Sequence, residues 1–166
     1  QMALVWASQF LSIMGFSFAL PFVAFFLQED LGVVRPAELR TWVALFSAST
    51  AVTMAVAAPL WGMLADRYGK RIMLIRANLA GAAVMSLMGA AQTPGTLIVL
   101  RLLQGALTGT MTAAQAFLAG EMPHERSGLA VGGLSAAVFS GSMAGAFLGG
   151  FAAEWLGYRA AFVVSG

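Results

Sequence analysis

Five apolar runs, each long enough to cross a membrane, set the limits on what this chain can fold into: residues 3–27, 42–64, 72–91, 96–119 and 129–153. A sixth starts at Ala160 and continues to Gly166. The hydrocarbon core of a bilayer is about 30 Å thick and takes roughly 20 residues of helix to span. In lipid the backbone amides must bond within their own segment, so runs of this kind form helices. The sequence therefore predicts an all-α, polytopic transmembrane bundle with five full helices and the beginning of another. Composition agrees: only 10% of the residues are charged, whereas soluble domains carry about 25%. No basic residue precedes Arg35, and the first run is 25 residues long. It reads as a spanning helix, since a cleaved signal has a basic start and a shorter apolar core.

The same composition removes most enzyme chemistry. There is no cysteine and only one histidine, His124. Disulfides, thiolate metal sites, cysteine nucleophiles and histidine-based metal centres or triads are therefore not expected. No catalytic group, metal site or cofactor is predicted. The net charge of +2 rests on few residues and forms no basic stripe with interleaved aromatics, so nucleic acid is not an expected partner.

The connections are short: "QEDLGVVRPAELRT", "ADRYGKR", "TPG", "EMPHERSG" and "EWLGYR". Short links make successive helices antiparallel neighbours. The second and fourth connections, with Arg76 just inside the third run, hold Arg67, Lys70, Arg71, Arg76 and Arg126; the others hold Arg35, Arg40 and Arg159. This bias predicts that "ADRYGKR" and "EMPHERSG" are cytoplasmic, and the N-terminus with them.

Within the second connection, Gly62 precedes Asp66 by four residues and Gly69 follows it by three. Gly62 is expected to allow close packing, and Gly69 a tight reversal that a side chain would resist. Asp66 stands four residues before Lys70, within reach if the helical turn continues. The whole stretch from Gly62 to Leu74, "GMLADRYGKRIML", resembles motif A of the major facilitator superfamily at every fixed position and lies in that motif's place between the second and third helices. The resemblance implies a gate. Asp66 would be the central acid of a charge cluster that holds two six-helix halves together in the outward-open state. Arg67, Lys70, Arg71 and Arg76 are the candidate partners, and the sequence does not choose among them.

The fourth run carries Arg101, Gln104, Thr108, Thr112 and Gln115, which at 100° per residue fall within about 80° of one another. Lipid would not tolerate such a stripe, so it should face the bundle interior or a wet cavity. Arg101 stands near the start of the run, where an arginine can also snorkel to the interface. "RLLQG", Arg101 to Gly105, resembles motif B of the same superfamily, which implies a place for Arg101 in the central cavity, in proton coupling or substrate contact. Gln104, Thr108 and Gln115 are weaker candidates, because interior polar residues also serve simply to join helices.

On the fifth run Gly141, Gly145 and Gly149 recur every four residues, with Gly150 beside them. Small residues at this interval let helix backbones approach. "GSMAGAFLGG" is similar to motif C of drug–proton antiporters, with Ala146 where that pattern has proline. Gly15 and Pro21 keep an interval of the drug-transporter pattern in the first run, although Val23 or Ala24 replaces its second proline. Pro21 and Pro59 are each expected to kink their helices.

No acid lies deep in any apolar run: Glu29, Asp30, Glu38, Asp66, Glu121, Glu125 and Glu154 all fall in connections or at their edges. His124, between two acids, reads as solvated. The resemblance implies a secondary transporter of a bacterial-type inner membrane, working by alternating access. The motifs lean towards efflux of drug-like molecules in exchange for protons, and this chain corresponds to part of the N-terminal six-helix half. Its expected partners are a small-molecule substrate, protons, the bilayer and a C-terminal half. An importer of a sugar, organic anion or other metabolite is the alternative, followed by a non-transporting receptor or scaffold with the same fold.

Overall fold

The computed structural model describes residues 2–108 and 127–166, and these are helical, joined by short turns. The first run forms α1 (Met2–Phe18) and α2 (Val23–Glu29), separated by a turn at residues 19–22. Pro21 supplies the reason, since it has no N–H to donate and breaks the ladder. The second run is longer than its apolar core: α3 extends over Pro36–Tyr68. Pro36 occupies the first turn, where a missing N–H costs nothing, and Glu38 sits at the positive end of the helix. Hence much of the polar stretch expected to be a connection before Trp42 is helix. Gly69, at φ +93°, ends α3 and leads directly into α4 (Lys70–Met88). This reversal interrupts the helical turn between Asp66 and Lys70 that the sequence spacing left open.

α5 (Pro94–Leu107) starts where the Thr93 side chain accepts a hydrogen bond from the Thr96 amide at 3.1 Å, with Pro94 at the first helical position. The helix was expected to run on to residue 119. Instead Thr108 is extended, at φ −93° and ψ 161°. Its hydroxyl and its amide both donate to the Gln104 carbonyl, at 2.7 and 2.8 Å. Such back-bonding by threonine competes with helix continuation. α6 (Ser127–Leu156) and α7 (Tyr158–Ser165) follow, joined at Gly157 with φ +81°.

The first span (α1 with α2) packs along the fifth (α6), the second (α3) along the fourth (α5), and the third (α4) against the sixth (α7). Exchanging the first span with the fourth, the second with the fifth and the third with the sixth maps the first two of these contacts onto each other and the third onto itself. That is the pattern of two three-helix repeats related by a two-fold axis. The α1–α6 seam is the closest. A Cβ at Gly141 would stand 2.6 Å from the Phe10 carbonyl oxygen; at Gly145 and Gly149 it would collide with the carbonyls of Met14 and Phe18. The register advances in the same direction on both helices, so α1 and α6 are parallel. Gly150 faces open space, so it takes no part in this seam. Among the described residues, four spans are long and apolar enough to cross a membrane by length and composition, with Pro94–Leu107 a shorter apolar helix.

Candidate functional site

The described part of the polar stripe turns inward. Arg101, Gln104 and Thr108 are all buried, Arg101 at 6% exposure despite its charge. It lies seven residues after Pro94, about 10 Å along the helix. A guanidinium so placed needs compensation, and two neighbours supply part of it. The Arg101 Nη1 donates to Gln104 Oε1 at 2.5 Å, and the guanidinium carbon lies 4.3 Å from the centroid of the Phe46 ring. Its Nε has no hydrogen-bond partner among the described residues. Gln104 is in turn held by Met85, whose sulfur accepts from Nε2 at 3.5 Å, and the Thr50 hydroxyl donates to the Arg101 carbonyl at 3.4 Å. Thr112 and Gln115 lie outside the described residues.

Two contributors to this site carry no mark in the stripe itself. Phe46 is on another helix, and its aromatic face is one of many in the chain. Gly105 is the other. A Cβ there would overlap the Thr53 side chain and the Thr50 backbone, so glycine lets α5 press against α3 one residue after Gln104. The indole of Trp61 donates to the Ala106 carbonyl at 2.6 Å and reinforces the same contact. Away from Arg101, a cavity of about 420 Å³ lies between α1, α4 and the end of α7. On its wall Ser12 donates to Asn78 Oδ1 at 2.8 Å and Asn78 Nδ2 donates to Ser8 at 3.0 Å. Asn78 in the middle of an apolar run was the available signal for this cluster.

At the α3–α4 junction, Asp66, Arg67, Gly69 and Arg71 are exposed. Among the described side chains none pairs with Asp66. Arg67 lies 5.6 Å from the ring centroid of its neighbour Tyr68. Arg76 instead stacks on Trp61, its guanidinium carbon 3.4 Å from a ring centroid, so α4 directs it to α3 and not to the acid. The backbone places Lys70 at the first position of α4. A Cβ at Gly62 would meet nothing within 4 Å. The packing role expected of that glycine therefore has no partner among the described residues. Arg126 and His124 lie outside them.

The opposite face carries a charge cluster the sequence did not single out. Arg159 Nε lies 3.2 Å from Asp30 Oδ1, and its Nη1 donates to the carbonyls of Gly89 and Ala91 at 3.2 and 2.9 Å. A cation at the C-terminal end of α4 satisfies carbonyls that the helix leaves unpaired. Below these residues Phe162 meets Phe22 and Phe26 edge to face, each at 5.1 Å between centroids. The ends of the first, third and sixth spans are thus tied together.

Two related triplets of apolar helices, with a charged side chain held between spans, define a polytopic membrane protein of the inverted-repeat kind. The chain belongs to the Major Facilitator Superfamily, whose profile matches residues 5–166. It is similar to the multidrug resistance protein MdtG of Proteus mirabilis, at 38% identity over 162 residues, 98% of this chain and 40% of that protein. The proteins of the same name from Klebsiella pneumoniae and Salmonella arizonae are each 38% identical over 164 residues, 99% of this chain and 40% of theirs. The chain spans about two fifths of the length of these relatives.

Proposed function

We propose that this chain is part of the N-terminal half of a secondary transporter that exports drug-like small molecules by alternating access in exchange for protons. The observation that carries the reading is its similarity, along nearly its whole length, to proteins named for multidrug resistance. The substrate would lie near the midplane, between this half and the following one. The excess of basic residues in the second and fourth connections supports a cytoplasmic N-terminus. Gly62, Asp66, Arg67, Gly69, Lys70, Arg71 and Arg76 form the inner gate in this reading, with Asp66 turned towards the other half. Its support is local. Asp66 sits in the last turn of α3, at the negative end of the helix dipole, with no ion-pair partner among the described side chains.

Asp66→Asn in the complete protein tests the gate. It is expected to move the population towards inward-open conformations and to lower transport about tenfold, the scale of a coupling free energy near 1.4 kcal/mol, with membrane expression intact. Unchanged distances between the halves, together with an unchanged transport rate, remove Asp66 from the mechanism.

Arg101 favours one refinement. Its guanidinium is buried with no carboxylate beside it among the described residues. A carboxylate, phosphonate or other anionic group on the solute would supply the missing charge, and this observation supports an organic anion as cargo, exported or imported. Competition of transport by neutral, cationic and anionic compounds of matched size separates the two readings.

A further inference from the structure

The α6–α7 junction repeats the α3–α4 junction on the opposite face of the bundle. Gly150, Glu154, Gly157 and Arg159 carry the same residue classes at the same intervals as Gly62, Asp66, Gly69 and Arg71. The backbone repeats as well. Gly69 has φ +93° and ψ 135°, and Gly157 has φ +81° and ψ 159°. The Gly69 amide donates to the Ala65 carbonyl at 3.0 Å, and the Gly157 amide to that of Ala153 at 3.1 Å. Each glycine carbonyl then accepts from the residue four further on, Met73 at 3.3 Å and Ala161 at 3.0 Å. Ala65 and Ala153 are both buried, while a Cβ at Gly62 or Gly150 meets nothing within 4 Å.

The two acids share an energetic problem. Glu154, like Asp66, is exposed in the last turn of its helix, where the dipole disfavours a carboxylate. Neither has an ion-pair partner among the described side chains. The base that follows Glu154, Arg159, is engaged by Asp30 and by the Gly89 and Ala91 carbonyls. An open glycine face beside an uncompensated acid suits a surface that is positively polarised and can come close, a helix N-terminus or a basic side chain. The relatives hold more than half of their length outside the matched region, which is where such a surface would come from.

We propose that Gly150 and Glu154 are a second docking point for the other half of the transporter, on the face opposite the Asp66 loop. Closure there holds the inward-open state, as closure at Asp66 holds the outward-open one. The inference rests on the alternating-access reading, and the test separates the two. In the complete protein, a nitroxide at exposed Tyr68 or Leu156, each just before its junction glycine, is paired with a second label on the facing half. Pulsed electron resonance then reads the inner and outer separations. E154Q is expected to raise the outer-open population about fivefold, and D66N the inner-open one by a similar factor. E154D, which keeps the charge, restores wild-type populations. A Cβ at Gly150 meets nothing within 4 Å among the described residues, so G150L is expected to fold and to act as E154Q does. Wild-type populations in E154Q and G150L, with D66N still shifted, overturn the second docking point and leave alternating access standing. A single unchanged distance at both faces in every variant sinks both.

Discussion

Arg101→Ala in the complete protein is expected to reduce transport by about fivefold to 150-fold, the range of coupling free energies of roughly 1–3 kcal/mol. The side chain holds the Gln104 amide through its Nη1 and lies over the Phe46 ring. Alanine removes the buried charge and the stacking partner and leaves Gln104 Oε1 unpaired. Arg101→Lys keeps the charge but not the planar fork, so it forms one of these contacts at a time. Its transport rate is expected to fall between those of wild type and alanine. Counterflow measured on equal amounts of purified, reconstituted protein checks the order. Near-wild-type rates for both variants would return Arg101 to a snorkelling role.

The second large effect is on assembly. Gly145→Val should prevent α6 from reaching α1, because the new Cβ would meet the backbone of Met14 and not the movable end of a side chain. Overpacking of a core typically costs about 1–3 kcal/mol, and a backbone obstacle belongs at the upper end. Gly132→Val makes the same chemical change on the same helix at a position where a Cβ meets nothing within 4 Å among the described residues. Thermal unfolding in detergent is expected to occur at a clearly lower temperature for the first variant and near the wild-type temperature for the second. Equal melting of the two would mean that the seam is looser than its register implies.

Much of the bundle was legible because lipid imposes one length on every span. Pro21 marked the break between α1 and α2, and the four-residue glycine interval marked the face of α6 that meets α1. Helix ends were less legible where polar residues extend a span into the interface, as from Pro36 to Thr41. Arg76 shows the limit for the site. Its proximity in sequence to Asp66 suggested an ion pair, yet three-dimensional packing brings Trp61 beneath it. Arg159 shows the reverse, for it reads as a lone base in a short link until Asp30, Gly89 and Ala91 converge on it.

The sequence by itself determined that this chain crosses a membrane as helices and which of their residues are too polar for lipid. Those properties follow from hydrophobic length, proline, glycine and charge, which act locally. Only the tertiary structure decided that α1 lies along α6 and α3 along α5, that Phe46 covers Arg101, and that the backbone of the Gly157 junction repeats that of the Gly69 junction. A helix surrounded by lipid is apolar on nearly every side, so its periodicity does not say which side faces a partner. The choice is made by close packing at small residues and by the few polar groups that must find one another.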